Sequence, residues 1–248
     1  MKKLAIFVEG KTEQIFIDRF LREFIKRQKL SIISVEAFGK DCPRFTTIIT
    51  EDITTLNTKY QILIFNSCND IRVISDLRER YENLKDEGYS HFIGIRDLYP
   101  NYLYNQRDDA VEESLFFIKD CINTTIIYAT MEVETWFIAE LNHYKNIHKD
   151  LTFEKIKNKF QNIENFEKDI THPADFLHNI YKLVDKKYMT RKLENGKIKY
   201  KKKEKEIKRT VNALDYENLY LNTTKEIPSL KQLIDELDNF FEKENNAN

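Results

Sequence analysis

Acidic side chains follow the first, fourth and fifth of five predicted β-strands in this chain. The carboxyl ends of parallel strands meet at one edge of a sheet, so acids distant in sequence can converge there. Clustered carboxylates raise each other's pKa unless a cation neutralises them, and their hard oxygen atoms suit Mg²⁺ or Mn²⁺. We therefore predict a divalent-cation site at this edge. Its candidate ligands are Glu9 and Glu13 after the first strand, Asp97 after the fourth, and Glu132 and Glu134 after the fifth.

The predicted elements that must position these acids alternate between strand and helix. Apolar runs predict strands at Leu4–Val8, Leu30–Phe38, Tyr60–Phe65, His91–Ile95 and Thr124–Thr130. Apolar residues at helical spacing predict helices at Thr12–Gln28, Ile71–Glu87, Asp108–Cys121 and Glu134–Leu141. Residues 44–58 are expected to form a short helix or an irregular stretch. This alternation predicts an α/β fold, with a mostly parallel sheet covered by helices on both faces.

Strand patterns end after Leu141, and the remainder favours helix. Four helices are expected there, at Leu151–Phe160, Ala174–Val184, Lys203–Leu214 and Ser229–Glu242. We therefore predict an α/β domain over residues 1–142 and a helical C-terminal region over residues 143–248 that packs on it.

Composition narrows the class of protein. No apolar run approaches the roughly 20 residues that cross a membrane, and the N-terminus lacks the pattern of a signal peptide. Three widely spaced cysteines predict a reduced, cytoplasmic protein without disulfides. No zinc-ligand spacing and no phosphate-binding glycine loop is present, so the sequence predicts neither a zinc site nor a nucleotide-hydrolase module.

The first strand end resembles the first motif of the Toprim family, which includes topoisomerases, primases and the overcoming-lysogenization-defect nucleases. That motif is an apolar strand followed by Glu-Gly, and the chain reads Val8-Glu9-Gly10-Lys11-Thr12-Glu13. The family's second motif is Asp-x-Asp. Here Asp97-Leu98-Tyr99 keeps the first acid and has Tyr99 at the second. The chain is most similar to the lysogenization-defect nucleases and to a bacterial Toprim-like group associated with mobile elements and phage defence.

The resemblance implies a Toprim, Rossmann-like sheet and metal-dependent hydrolysis of phosphodiester bonds in DNA or RNA. Glu9 would be a general acid/base or a metal ligand, and Asp97 would hold Mg²⁺ or Mn²⁺ with Glu132 or Glu134. Nucleic acid would be the substrate, a partner ATPase would be encoded nearby, and homo-oligomerisation stays open.

Other interpretations remain beside the nuclease. Because Tyr99 replaces a ligand, the chain could instead be a catalytically degenerate Toprim module that binds nucleic acid or a partner ATPase. A primase-like enzyme is a third class, although the zinc-binding and helicase-binding parts of primases are absent. For Glu13, Glu132 and Glu134, a place in the first turn of a helix, where the helix dipole favours an acid, is an equally good explanation.

A strongly basic segment lies in the C-terminal region. Residues 186–209 hold twelve Lys or Arg against three Glu, whereas the whole chain carries a net charge of −1. Asn195-Gly196 between alternating flanks predicts a β-hairpin with a type I′ turn. The segment is either a nucleic-acid-binding hairpin or a solvated lysine-rich loop. The resemblance to the lysogenization-defect nucleases implies that one of its lysines could also assist catalysis. The lysines predicted to contact phosphates are Lys192, Lys197, Lys199, Lys201, Lys202 and Lys203.

Overall fold

A six-stranded sheet forms the centre of the protein. The computed structural model describes residues 1–40, 42–69, 71–194 and 197–242. In sequence order the strands are β1 Lys2–Val8, β2 Leu30–Phe38, β3 Phe45–Glu51, β4 Tyr60–Asn66, β5 His91–Asp97 and β6 Thr124–Ala129. Their order in space is β3-β2-β4-β1-β5-β6, and every pairing is parallel except that of β3 with β2. The predicted α/β fold class is confirmed.

Strand β1 is central because its residues suit burial on both faces. Leu4 to Val8 are all fully buried, which a strand between two helical layers requires. The register places Val8 opposite Asn66 of β4 and opposite Ile95 of β5. The strands that carry Glu9 and Asp97 are therefore neighbours and end at the same edge.

Helices cover both faces of the sheet, as predicted. Helix α1 (Lys11–Phe24) lies on one face, and α2 (Arg72–Asp86) and α3 (Arg107–Phe117) lie on the other. Helices α1 and α2 face the sheet with apolar stripes, such as Phe16 and Phe20 in α1, which are almost completely buried. Helix α3 buries only the small residues Ala110 and Ser114. Helix α1 ends at Phe24, four residues before the predicted end, because a 3₁₀ turn at Arg27–Lys29 leads into β2.

The expectation for residues 44–58 is wrong, since this segment contains the antiparallel edge strand β3. All seven of its residues are exposed, so the alternation of buried and exposed residues that marks a strand is missing. The β-branched run Thr46-Thr47-Ile48-Ile49-Thr50 is the local signal that favours an extended backbone here.

The C-terminal region is helical and packs on the face of α1. Its helices are α4 Glu134–Ala139, α5 His143–Ile147, α6 Phe153–Ile156, α7 Phe166–Asp169, α8 Pro173–Tyr181, α9 Glu204–Ala213, α10 Tyr216–Leu221 and α11 Pro228–Glu242. Trp136 of α4 is fully buried, lies 5.7 Å from the Phe16 ring, and donates a hydrogen bond to Ser229 Oγ at 2.8 Å. One continuous core thus contains side chains from both predicted regions.

A two-stranded antiparallel ribbon interrupts these helices where the hairpin was predicted. Strands β7 (Met189–Glu194) and β8 (Lys197–Lys202) pair from Met189 opposite Lys202 to Glu194 opposite Lys197. The predicted Asn195-Gly196 turn lies outside the described residues. No described helix is long and apolar enough to cross a membrane.

Candidate functional site

Glu9 and Asp97 meet at the edge of the sheet where β1 and β5 end. Glu9 follows the last residue of β1, and its Oε2 accepts a hydrogen bond from the backbone N–H of Asp97 at 3.0 Å. Asp97 is the last residue of β5 and is 7% exposed. Its Oδ1 accepts a hydrogen bond from the Val133 N–H at 3.0 Å, which joins it to the loop after β6. The parallel register thus brings together residues 88 positions apart.

The ionisation of Asp97 is strongly disfavoured in this setting. Burial raises the pKa of Asp97 well above its ordinary value, and the neighbouring carboxylates of Glu9 and Glu13 raise it further. Lys202 acts in the opposite direction but does not cancel the increase. A nearby cation would therefore stabilise the ionised form of Asp97.

Glu13 reaches the same place from the first turn of α1. Its side chain is almost fully buried, and a Cβ atom on Gly10 would lie only 3.3 Å from Glu13 Oε2, so the small residue at position 10 leaves room for this carboxylate. Burial raises the pKa of Glu13 to about 7, with Lys202 lowering it and Glu134 raising it. This carboxyl group can therefore take up or release a proton near neutral pH.

Glu134 lies behind these acids and forms an ion pair with Lys202. Glu134 is fully buried at the start of α4, and its Oε1 accepts hydrogen bonds from Lys202 Nζ at 2.7 Å and from the Tyr188 hydroxyl at 2.5 Å. Its other oxygen, Oε2, is buried without a hydrogen-bond partner.

Lys202 is the cation that the fold inserts among these acids. It ends β8, and its side chain is 26% exposed. Burial acts to lower the pKa of Lys202, but the surrounding carboxylates outweigh burial and raise that pKa above its ordinary value. In order of effect, these carboxylates belong to Glu134, Glu132, Asp97 and Glu13.

Glu132 lies to one side and has a local structural role. Its Oε2 accepts a hydrogen bond from the Ala174 N–H at 2.8 Å, in the first turn of α8. Burial and the charge of Glu134 raise the pKa of Glu132, while Lys202 opposes them. Of the two acids after β6, Glu134 is the one that pairs with Lys202, and its charge also raises the pKa of both Glu13 and Asp97.

An open cavity of about 810 Å³ adjoins the cluster. We call it the carboxylate cleft and define it by Glu9, Glu13, Asp97 and Lys202. The remaining charged side chains in its wall are Lys11, Glu36 and Lys201. Glu132 and Glu134 are not among the described residues that line it.

Two polar residues of the cleft that lie at or near strand ends, Glu36 and Asn66, are not among the predicted site residues. Glu36 near the end of β2 pairs with Lys11 of α1, and Asn66 at the end of β4 accepts a hydrogen bond from the Cys68 N–H at 2.8 Å through Oδ1. Glu36 and Asn66 are register partners at the same edge of the sheet as Asp97. Both show the pattern that predicts Glu9 and Asp97, a polar residue at or near the end of a parallel strand, in the second and third predicted strands.

The predicted nucleic-acid-binding lysines fall into two groups. Lys201 and Lys202 line the carboxylate cleft, and Lys203 is exposed immediately before α9. For Lys192, Lys197 and Lys199 the structure describes only the backbone, which places Lys192 opposite Lys199 in the ribbon. The ribbon therefore delivers its basic end to the acids.

The donor atoms of the carboxylate cleft suit a divalent cation. The cleft supplies the oxygen donors that Mg²⁺ and Mn²⁺ prefer, and the unpartnered Glu134 Oε2 is an acceptor still open beside them. However, no three His, Cys, Asp or Glu side chains in the described part of the chain are gathered closely enough to form a metal site. The donor atoms are thus of the kind that the metal prefers, while Lys202 already neutralises part of the negative charge of the acids.

The chain matches no family model, no curated protein and no solved structure.

Proposed function

We propose that this protein is a nuclease of the Toprim type that hydrolyses phosphodiester bonds of DNA or RNA with the aid of Mg²⁺ or Mn²⁺. The observation that carries the proposal is that Glu9, Asp97 and Glu13 line one cleft together with Lys202 at the carboxyl edge of the sheet. Carboxylates that repel one another in a cleft are typical of sites that work with a cation.

Glu9 and Asp97 are the residues that would hold the cation, with Glu13 next to them. Once bound, the metal would supply activation of water and neutralisation of phosphate charge. Glu13 suits proton transfer, because a general acid or base works best with a pKa near the working pH, and burial raises the pKa of Glu13 to about 7. Glu9 accepts a hydrogen bond from the backbone of Asp97, which fixes the Glu9 carboxylate at the carboxyl end of β5.

Lys202 supports a phosphate substrate in the same cleft. It is a permanently charged group at neutral pH, because the carboxylates around it raise its pKa. A cation fixed beside the reacting phosphate stabilises the negative charge that develops in phosphoryl transfer. Glu134 holds the ammonium in place at 2.7 Å, so its position costs no reorganisation during the reaction.

The surroundings of the cleft favour nucleic acid as the substrate. Residues 186–209 carry nine more positive than negative charges, and their ribbon ends at Lys201 and Lys202 in the cleft wall. Lysines that follow the backbone of a strand supply sequence-independent affinity for phosphates. With the family resemblance, we extend the proposal to phage defence together with a partner ATPase.

A second candidate function is binding of nucleic acid without cleavage. Two observations favour it: Tyr99 occupies the position of the second family acid, and the ammonium of Lys202 already neutralises Glu134. In such a module the lysine would replace the cation for good.

Cleavage assays with purified protein separate the two candidates. Supercoiled plasmid and labelled RNA are incubated with Mg²⁺, with Mn²⁺ or with a chelator. The variants are Glu9→Gln and the matched control Glu217→Gln, an exposed acid on α10. The nuclease predicts metal-dependent cleavage that Glu9→Gln abolishes and Glu217→Gln retains. Nucleic-acid binding without cleavage under any of these conditions would establish the second candidate instead.

A further inference from the structure

A second cavity lies on the opposite face of the sheet, between α2 and α3. It measures about 870 Å³, and its charged wall is formed by Arg72, Arg78 and Arg96 together with Glu79 and Glu113. We call it the arginine cleft and define it by the three arginines. Arg96 and Asp97 are consecutive residues of β5, and alternate side chains of a strand point to opposite faces. One strand therefore serves two separate cavities.

Arg96 is the feature that calls for a ligand. It is 8% exposed, and its guanidinium cannot lose its charge in a protein. Its Nη1 donates a hydrogen bond to the Tyr128 hydroxyl at 2.9 Å, but its Nε is buried without a partner. In the part of the chain that the structure describes, no carboxylate lies within ion-pair distance of it. A buried charge without a counter-charge is costly, because its desolvation is not offset by an ion pair.

Tyr128 fixes the direction in which this guanidinium points. The Tyr128 hydroxyl donates to the Ala110 carbonyl at 3.1 Å and is 2.7 Å from Ser114 Oγ, so it accepts from Arg96 in a set orientation. The guanidinium also lies over the Tyr128 ring, 5.4 Å from its centroid. Arg96 is thus held in place before any ligand arrives.

The other charged groups of the cleft leave room for an anion. Arg78 is exposed at the rim, and no described acid forms an ion pair with it. Arg72 is 3.6 Å from Glu79 Oε1, and Glu113 accepts a hydrogen bond from the Tyr102 hydroxyl at 2.5 Å. Glu79 and Glu113 therefore each have one carboxylate oxygen engaged by another group, while no described carboxylate pairs with Arg96 or Arg78.

The cleft also contains an acceptor and an apolar wall. Glu79 Oε2 is buried without a hydrogen-bond partner, which suits a hydroxyl or amino donor. Tyr102, Phe117 and Ile74 supply aromatic and apolar surface. A cavity of this volume accepts a ligand much larger than a lone phosphate ion.

We propose that the arginine cleft binds a nucleoside phosphate, with its phosphate on Arg96 and Arg78 and its hydroxyl or amino groups toward Glu79. The phosphate pairs with the guanidinium in the geometry that arginine offers to phosphate oxygens. The planar base lies against the aromatic wall. The same chemistry is presented by a free mononucleotide and by the 5′-phosphate end of a nucleic-acid strand.

Calorimetric titration of the full chain in chelator tests the proposal, because the chelator removes any metal-assisted binding at the carboxylate cleft. The probes are AMP, UMP, adenosine, inorganic phosphate, and tetrathymidylate with and without a 5′-phosphate. The variants are Arg96→Met and Arg78→Gln, with Arg27→Gln as the matched control on an exposed turn distant in sequence. Arg78 is exposed, so its variant reports on binding even if Arg96→Met folds poorly.

AMP or UMP is expected to bind at least about tenfold more tightly than adenosine, and each cleft variant is expected to weaken that binding by about tenfold or more. Arg27→Gln should bind like the unmodified protein. Tighter binding of the mononucleotides than of the phosphorylated oligonucleotide assigns the cleft to free nucleotides, and the reverse assigns it to strand ends. Binding that both cleft variants retain, or no binding by any phosphorylated probe, would overturn the proposal.

Discussion

The carboxylate cleft and the arginine cleft lie on either side of β5 and treat buried charge in opposite ways. Asp97 faces a cluster in which Lys202 from a distant ribbon supplies the counter-charge. Arg96, one residue earlier, has a tyrosine hydroxyl and a tyrosine ring as its partners. We call the first the compensated cleft, because the chain places a lysine among its acids, although this charge does not cancel the increase in the pKa of Asp97. We call the second the uncompensated cleft, because no described carboxylate pairs with Arg96. The comparison shows that a buried charge points to a ligand chiefly when the fold provides no counter-charge for it.

The largest effect is expected from Asp97→Asn, which alters the compensated cleft. If Asp97 holds the cation, cleavage should fall by about 100-fold or more. Folding should not suffer, because the change removes a carboxylate whose ionisation is opposed by burial and by Glu9. Plasmid nicking and urea unfolding measure the two quantities. A variant that loses activity through unfolding would contradict the assignment of Asp97 to the site.

Removal of Lys202 tests whether this lysine is the compensating charge. Lys202→Met leaves the buried Glu134 without its ion pair, and breaking a buried pair costs about 3–5 kcal/mol of unfolding free energy. The double variant Lys202→Met with Glu134→Gln should recover most of the loss, because both charges are then gone. Urea unfolding of the two variants supplies the comparison. An equal loss in both would mean that packing, and not charge, is the contribution of Lys202.

The pH dependence of the unfolding free energy tests the interactions among the acids of the carboxylate cleft while Lys202 stays in place. Because the pKa of Glu13 is raised to about 7 in the folded protein, the unfolded chain releases its proton first as pH rises. The contribution of Glu13 to stability should therefore fall by on the order of 1–3 kcal/mol as pH rises from the ordinary pKa of a glutamate to about 7, and it should level off above that pH.

The variant Glu13→Gln should flatten this fall in part, because Asp97 contributes in the same direction. Unfolding free energies measured across this pH range provide the test. If stability instead rose over this range, the carboxylates of the cleft would be ionised in the folded protein and stabilised there by positive charge. Added Mg²⁺ should also reduce the slope if it binds to these carboxylates.

The uncompensated cleft is expected to give a small effect of opposite character. Arg96→Met removes a buried charge and retains much of the apolar stem, so the unfolding free energy should change by less than about 1 kcal/mol or increase. Comparison with Lys202→Met under the same conditions measures the contrast between the clefts. A loss as large as that of Lys202→Met would mean that Arg96 already has a strong partner.

The sequence predicted the compensated cleft better than the uncompensated one. Glu9 and Asp97 follow apolar runs that end in a parallel sheet, so strand periodicity alone places them at one edge. Strand β3 was missed because all of its side chains are exposed and no pattern of burial is imprinted on it. Arg96 carried no signal, since a charge inside an apolar strand is recognised only when its neighbours are known.

The choice of Lys202 among the lysines of the ribbon was likewise beyond the sequence. The alternating flanks predicted the antiparallel pairing of β7 with β8, and the pairing is confirmed. Which lysine reaches the acids depends on how the ribbon packs against Glu134 and Tyr188, through contacts between residues more than 50 positions apart. Nothing local distinguishes Lys202 from Lys201 or Lys203.

The smallest effect is expected from the exposed lysines beside the carboxylate cleft. If Lys201 and Lys203 contact backbone phosphates, the double variant Lys201→Gln with Lys203→Gln should bind nucleic acid more weakly, to a similar degree for every sequence. The DNA or RNA used carries no 5′-phosphate, so that the arginine cleft does not contribute. Each lost contact should flatten the dependence of log affinity on log salt by about 0.7–0.9.

Arg78→Gln, at the arginine cleft, is the matched control and should leave this slope unchanged, because the nucleic acid follows the other side of β5. Salt titrations of binding for the three proteins decide the matter. Identical slopes for the lysine variant and the unmodified protein would place the nucleic-acid surface away from the ribbon, and a flatter slope for Arg78→Gln would show that one polyanion spans both clefts.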